Sequence, residues 1–368
     1  MSTATGAAGF HRLRVGGVDR LCADAVAVTF EVPQDLREVY GFRAGQYLTV
    51  RQYVDTADGP REERRSYSIC APEGAAPRIG VRRVDTGLFS EWVVDRLAAG
   101  DELEVGLPEG RFSPDLATDS DAAGSHHALI AAGSGITPVL SIAATVLAAH
   151  PENQVSLVYG NRRTDTVMFT EDLADLKDRY GPRLQLDHVL SREPMEAEIF
   201  AGRLDRNKLG TLLRSVLPAP DVDHWWLCGP FGMVTDAQEV LAELGVPTDR
   251  VHRELFYVGA PPPDPVRHDD ESLDDSAGAE GTVILNGRST SVTLPRSHRV
   301  LDSAQRARSD LPFACRGGVC GTCRAKVTEG EVRMVRNFAL EDDEVEAGFV
   351  LTCQSLPVSE SVVIDYDV

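Results

Sequence analysis

Cys315-Arg316-Gly317-Gly318-Val319-Cys320-Gly321-Thr322-Cys323 is answered near the C-terminal end by Cys353. Four of the seven cysteines thus fall into C-x4-C-x2-C plus one distant C, the spacing of plant-type 2Fe-2S ligation. Such a cluster carries one electron, so this run constrains chemistry as well as fold. Both irons need thiolates from one short loop, and Gly317, Gly318 and Gly321 let it curl with N–H groups free to meet sulfur. A four-cysteine zinc knot is the alternative, since Cys320 and Cys323 alone would suit zinc. It is the weaker one, because a zinc site usually pairs two C-x2-C knuckles and this chain has one. Cys22, Cys70 and Cys228 are widely separated and read as buried, unbridged thiols. A chain of this length needs no disulfide framework, so a reducing cytoplasm is the expected home.

At 368 residues the chain exceeds the roughly 250–300 at which a single core stops growing, and two or three domains are expected. The formal charge of −20 argues against nucleic acid or an anionic membrane as partner. Residues Met1 to Gly9 lack the basic start and apolar core of a signal peptide. The longest apolar helical stretch, Val139 to Ala149, falls short of the ~20 residues that span a bilayer. A soluble, unexported protein is expected.

Residues 10–115 read as short alternating strands separated by Gly and Pro clusters, the pattern of a small antiparallel β-barrel. The strands are expected at Arg12–Val15, Ala25–Glu31, Tyr47–Arg51, Arg65–Ser68, Ile79–Val84 and Glu102–Leu107. Arg65 offers a forked cation for phosphate, Tyr67 a flat face for a ring and Ser68 a hydroxyl beside that ring. Gly87 to Ser90 opens a short helix, where free N–H groups favour an anion.

Over residues 125–258 strands alternate with helices, which predicts an α/β domain with a parallel, doubly wound sheet and its ligand at the strands' C-terminal edge. The apolar strand Ala128–Ala132 leads into Gly133-Ser134-Gly135-Ile136 and a helix entered by Thr137 as cap and Pro138, with His126-His127 as the preceding loop. A glycine loop between strand and helix cradles phosphate. Later strand ends carry Gly160-Asn161-Arg162, Ser191-Arg192 and Cys228-Gly229-Pro230, and glycines with basic residues on one edge suit a phosphate-bearing ligand. No Ser/His/Asp order stands out as catalytic.

Residues 259–280, with Pro261 to Pro263 and two acidic runs, read as an extended linker. Residues 281–368 read as hairpin, helix, cysteine loop and further strands, an α+β pattern consistent with the β-grasp of plant-type ferredoxins. Glu341 to Glu346 predicts an acidic helix, either a docking face or a solvated surface.

Arg65-Ser66-Tyr67-Ser68, Gly87 to Ser90, Ala132 to Pro138 and Cys228-Gly229-Pro230 resemble the ferredoxin–NADP reductase superfamily, in the oxygenase-reductase order with a C-terminal ferredoxin. With Asn337 to Leu340 and Gly348 to Gln354 added, the chain is most similar to the reductase subunits of phenylacetyl-CoA epoxidases; reductases of 3-ketosteroid hydroxylases share most of these blocks. The resemblance implies that Arg65, Gly87 and Ser90 bind the FAD pyrophosphate, that Tyr67 flanks the isoalloxazine and that Ser68 lies near N5. It places Gly133, Ser134, Gly135 and Thr137 around the nicotinamide nucleotide and Cys228, Gly229 and Pro230 beside the nicotinamide. Phe256 is placed like the aromatic that covers the flavin's other face, although the chain runs on past it. Ser191 and Arg192, with Arg162 nearby, resemble a grip on a 2′-phosphate, and no acidic residue directly follows Tyr159 to select a free ribose hydroxyl. NADPH is therefore expected, with NADH the alternative. Cys315, Cys320, Cys323 and Cys353 would hold the 2Fe-2S cluster, and no residue need act as acid or base. Electrons would run from the nicotinamide through FAD and cluster to an oxygenase component. The acceptor is expected to be the epoxidase, with a Rieske-type steroid or aromatic-ring oxygenase as alternative and a non-catalytic redox sensor as the reading of another class.

Overall fold

The structure, a computed structural model, describes residues 9–56, 59–84, 87–116, 124–217, 219–256, 278–308 and 310–368. The chain divides into two compact units, Met1–Val258 and Gly259–Val368, so the first two expected domains share one unit.

The first unit begins with β1 (Phe10–Cys22), β2 (Ala25–Glu31), β3 (Tyr47–Thr56), β4 (Gly59–Ser68), β5 (Arg78–Arg82) and β6 (Glu102–Gly106). They form one antiparallel sheet in the order β4-β3-β6-β1-β2-β5. Alternation along β1 buries Leu13 and Val15 and exposes Arg12 and Arg14, as a half-buried strand requires. The sheet curls until Ile69, next after β4, bridges Ile79 of β5, which closes that end as a barrel. Helix α1 (Leu88–Arg96) drops Phe89, Val93 and Val94 into the same core. Each is worth about 1.5–3 kcal/mol over exposure to water. Nine residues make too short a helix to persist alone, so packing rather than propensity sustains it.

Strands β3 and β4 run longer than expected because their polar halves are satisfied across the sheet and along the strand. Arg51 pairs across the sheet with Glu104 at 2.9 Å, Arg64 pairs within β4 with Glu62 at 2.6 Å, and both guanidiniums lie over the Phe10 ring. Alternating hydrophobicity cannot report strand built this way.

The α/β part contains β7 (His126–Ala132), β8 (Gln154–Asn161), β9 (Leu184–Leu190), β10 (His224–Gly229) and β11 (Val251–Leu255). All pair in parallel in the order β11-β10-β7-β8-β9, which puts the topological switch point between β7 and β10. Helices α2 (Ile136–Ala149), α3 (Thr170–Tyr180), α4 (Arg206–Ser215) and α5 (Phe231–Glu243) connect them. Helix α2 is apolar nearly all round and nearly all buried, as a helix enclosed on every side must be. Ser141 on α2 donates to the Ala71 carbonyl at 2.6 Å, the Thr145 hydroxyl accepts from Glu73 N–H at 3.1 Å, and Arg78 reaches Asp172 of α3 at 2.5 Å. These bonds fasten the barrel to the α/β part.

Two local expectations are corrected here. His126 and His127 belong to β7 rather than to a loop before it. Buried His127 fits because it accepts from Trp226 Nε1 at 3.1 Å and its other nitrogen meets Ser125 Oγ at 2.8 Å. Thr137 is not the cap of α2 either, since the helix begins at Ile136 after a 3-10 turn over Gly133–Gly135.

The second unit contains β12 (Ala279–Leu285), β13 (Arg288–Leu294), α6 (Val300–Ala307), β14 (Arg324–Glu329), β15 (Val332–Met334), α7 (Asp342–Glu346), β16 (Phe349–Leu351), β17 (Ser355–Pro357) and β18 (Ser361–Asp365). The main sheet has the order β13-β12-β18-β14-β16, with β12 and β18 parallel. Asn286 and Gly287, at φ 54° and 67°, make the turn between β12 and β13 that this pair predicts. The ribbon of β15 and β17 was not expected; three-residue strands are too short to show a period. The expected linker lies outside the described residues up to 277, and its last two residues, Ala279 and Glu280, already belong to β12.

Among the described residues no helix is long and apolar enough to cross a membrane.

Candidate functional site

The cysteine loop is wound by three left-handed residues, Arg316, Gly318 and Gly321, at φ 53°, 79° and 71°. A non-glycine residue there costs about 1–2 kcal/mol. The Arg316 side chain offsets this through Asp302 at 2.7 Å and Gln305 at 2.6 Å, both on α6. Inside the loop Gly317 N–H donates to Cys315 Sγ at 3.3 Å. The Cys315 thiol hydrogen-bonds with that of Cys320, and Cys323 with Cys353. The bond from Cys320 draws Cys315 down to about 6, and that from Cys323 draws Cys353 down. The four thiols therefore stand as two pairs. Among the described residues no three His, Cys, Asp or Glu side chains are arranged to hold a single ion. Two pairs of thiols suit two irons.

The sequence-predicted nucleotide residues meet at the switch point. Gly135 lies so close to the end of β10 that a Cβ would sit 2.3 Å from the Cys228 carbonyl oxygen. Gly133 has φ 58°, and its carbonyl accepts from the Tyr159 hydroxyl at 2.9 Å, which pins the loop to β8. Buried Thr137 serves that loop too, donating to the Ser134 carbonyl at 3.0 Å. Gly80 of β5 admits Thr137, because a Cβ on it would come within 2.6 Å of the Thr137 methyl. Backbone bonds from Ser191 N to Asn161 O and from Arg192 N to Arg162 O, 2.9 and 2.8 Å, set the two basic segments side by side. Arg162 reaches Asp24 at 3.8 Å and is otherwise largely exposed, and Arg192 is exposed.

On the barrel side, Arg65 is half-exposed and pairs with buried Glu63 at 2.7 Å. The Tyr67 ring stacks on Phe89 at 5.9 Å. The Ser90 hydroxyl turns inward, donating to the Gly87 carbonyl and accepting from Val84 N–H, each at 3.0 Å. It ties the entry of α1 back to the end of the preceding segment, and the Gly87 N–H bonds the Val84 carbonyl at 2.8 Å. Phe256 is half-buried, with its N–H on the Gly229 carbonyl at 3.3 Å. A half-exposed cation, a stacked aromatic ring and a helix start on one barrel fit the pyrophosphate and ring of a bound flavin.

Two residues here escaped the sequence reading. Glu254, on β11 in register with Cys228, accepts from Ser68 Oγ at 3.0 Å and lies 4.0 Å from Cys228 Sγ. Burial pushes its carboxyl up to about 7, against a downward pull from the Ser68 bond. Burial also raises the Cys228 thiol, and neighbouring Glu254 adds to it. The pairing of β10 with β11 sets Glu254 beside Cys228, and the packing of the barrel on that sheet brings Ser68 to it. Asn161 is 8% exposed, and neither amide atom makes a hydrogen bond of normal geometry although Tyr159 lies beside it. A buried amide with both ends open is costly, so Asn161 has donor and acceptor capacity left for a water or a ligand; its place next to Gly160 at a strand end was the available signal.

Residues 129–239 match the oxidoreductase NAD-binding domain, and residues 283–358 match the 2Fe-2S iron-sulfur cluster binding domain. The chain is 41% identical over 361 residues to one of the subunits of 1,2-phenylacetyl-CoA epoxidase from Escherichia coli, covering 97% of this chain and 98% of that one. It is 34% identical to the ferredoxin reductase component of 3-ketosteroid-9-alpha-monooxygenase from Rhodococcus rhodochrous, covering 96% of each. Phthalate dioxygenase reductase, a solved structure for electron transfer from pyridine nucleotides to 2Fe-2S, superposes with a TM-score of 0.57 at 25% identity, over 97% of this chain and 98% of that one. With the thiol pairs, the glycine loop at the switch point and the flavin-fitting barrel on one chain, this protein belongs to the family of oxygenase reductases that includes the matched phenylacetyl-CoA epoxidase component, oxidoreductases built on NAD(P)H, FAD and a 2Fe-2S cluster.

Proposed function

We propose that this chain is the reductase of a phenylacetyl-CoA epoxidase, taking electrons in pairs from NADPH and delivering them singly to a separate oxygenase in the cytoplasm. The observation that carries this reading is the 41% identity sustained across both units rather than confined to one. Residues 10–115 serve as the FAD domain, 125–258 as the nucleotide domain and 281–368 as the ferredoxin domain. Bound FAD accepts a hydride and releases electrons one at a time, which a nicotinamide nucleotide and a one-electron cluster cannot do between themselves.

The chain's own residues bind and orient. Arg65 and the N–H groups around Gly87 neutralise the flavin pyrophosphate, and Tyr67 and Phe256 bracket the ring. Gly133, Ser134 and Gly135 take the nucleotide phosphates, with Thr137 bracing that loop. Cys228, Gly229 and Pro230 border the nicotinamide, and Ser191, Arg192 and Arg162 favour a 2′-phosphate. Glu254 holds Ser68 beside Cys228 at the edge that would receive the nicotinamide. Cys315, Cys320, Cys323 and Cys353 ligate the cluster.

The 34% identity to a 3-ketosteroid monooxygenase component supports a second reading, with a Rieske-type oxygenase as acceptor. The test is NADPH-driven oxidation of phenylacetyl-CoA by purified epoxidase oxygenase components with this protein added, with cytochrome c reduction as control. Coupled product supports the epoxidase. Rapid cytochrome c reduction without product moves the acceptor to the steroid or aromatic-ring class and still contradicts a non-catalytic sensor.

A further inference from the structure

Gln354 follows Cys353 and is 2% exposed, yet its side chain is fully engaged. Nε2 donates to the Arg316 carbonyl at 2.8 Å and to Cys353 Sγ at 3.6 Å, while Oε1 accepts from Arg299 Nη1 at 2.6 Å. Arg299, at the entry to α6, also donates to the Cys353 carbonyl at 3.2 Å. One amide therefore bridges the two segments that supply the cysteines, and one cation grips its oxygen. Gly318 closes over this bridge, since a Cβ there would lie 2.9 Å from Gln354 Cγ.

An amide whose carbonyl oxygen is bonded to a guanidinium is polarised, and its N–H becomes the better donor. A donor on a ligating sulfur stabilises the added negative charge of a reduced cluster and raises its potential. We propose that Arg299 and Gln354 form one positioning unit that raises the reduction potential of the 2Fe-2S cluster through Cys353 Sγ. This rests on the assignment of the four cysteines to the cluster. Neither residue ligates iron. The arginine acts through the glutamine and, in smaller part, through its own bond to the Cys353 carbonyl, so the two effects overlap.

The test is an electron paramagnetic resonance-monitored redox titration of full-length, cluster-loaded protein, after measurement of iron and labile sulfide. Gln354→Met should keep the cluster and lower its midpoint potential. The ratio of oxidised to reduced cluster at fixed solution potential should rise roughly tenfold, about 59 mV for a one-electron couple. Arg299→Met should shift it the same way by less, Arg299→Lys should recover part of that, and the double variant should fall by less than the sum of the two single shifts. An unchanged potential in either loaded single variant, or shifts that simply add in the double variant, overturns the proposal. Should Gln354→Met fail to load, Arg299→Met decides alone, a lowered potential supporting the proposal and an unchanged one overturning it. Full iron and sulfide content in Cys353→Ala, which has no ligating atom, would instead sink the cysteine assignment, before any titration.

Discussion

The cysteine loop and the edge where Ser68, Cys228 and Glu254 meet are built on opposite plans. Three of the four thiols come from nine consecutive residues, and local backbone turns at Arg316, Gly318 and Gly321 shape the loop. At the other site Ser68 and Glu254 stand 186 positions apart on strands of two different sheets, and the packing of the barrel against the parallel sheet brings them together. A locally encoded site depends on few residues absolutely. An assembled site depends on many residues by degrees, because each strand that shifts misplaces one group.

The largest expected effect breaks the local site. Cys320→Ser should abolish cluster-dependent cytochrome c reduction while NADPH still bleaches the flavin in stopped flow; equal loss of both would place the electron path elsewhere. Next comes Glu254→Gln, expected to slow flavin reduction about 10–100-fold and to remove an inflection near pH 7. Its stability effect runs the other way. A carboxyl that titrates at about 7 when folded, against an ordinary 4.5, favours the folded state below pH 4.5 and loses that advantage as pH rises through 7. The Gln variant should therefore melt higher than wild type at pH 8 with no advantage at pH 4, and a lower melting temperature at pH 8 would refute enforced burial of the carboxyl.

Smaller effects probe the assembled edge one atom at a time. Gly135→Ala forces a methyl group against the Cys228 carbonyl, an overpacking of about 1–3 kcal/mol. The expected outcome is a KM for NADPH raised about tenfold with flavin content intact, and an unchanged KM would detach this loop from the nucleotide. Asn161→Ala should raise KM by about 3–10-fold, the worth of a hydrogen bond, without lowering the stability of the nucleotide-free protein. A fall in melting temperature with normal KM would make Asn161 structural.

The same contrast explains what the sequence could show. Spacing reported the cluster loop, and strand–helix alternation reported the parallel sheet, including the strand into the glycine loop, expected at Ala128–Ala132 and found over His126–Ala132. The glycine loop and Cys228-Gly229-Pro230 were legible as separate motifs, and the switch point explains their meeting. Glu254 was not legible, because a single acid in Val-His-Arg-Glu-Leu resembles a solvated strand face until Cys228 and Ser68 are set against it. His127 was missed for a related reason: its two ring nitrogens are satisfied by Trp226 and Ser125, and no local pattern announces that a polar ring will be accommodated within a strand. The polar halves of β3 and β4 fall in the same class.

The bonds from Ser141 to Ala71, from Glu73 to Thr145 and from Arg78 to Asp172, with the Gly80–Thr137 approach, would all have to break together for the barrel to swing from the α/β sheet. Each bond is worth about 0.5–1.5 kcal/mol net, and because they act together they join barrel and sheet into one body, a single clamp in which loosening any one fastening leaves the others to hold the edge in place.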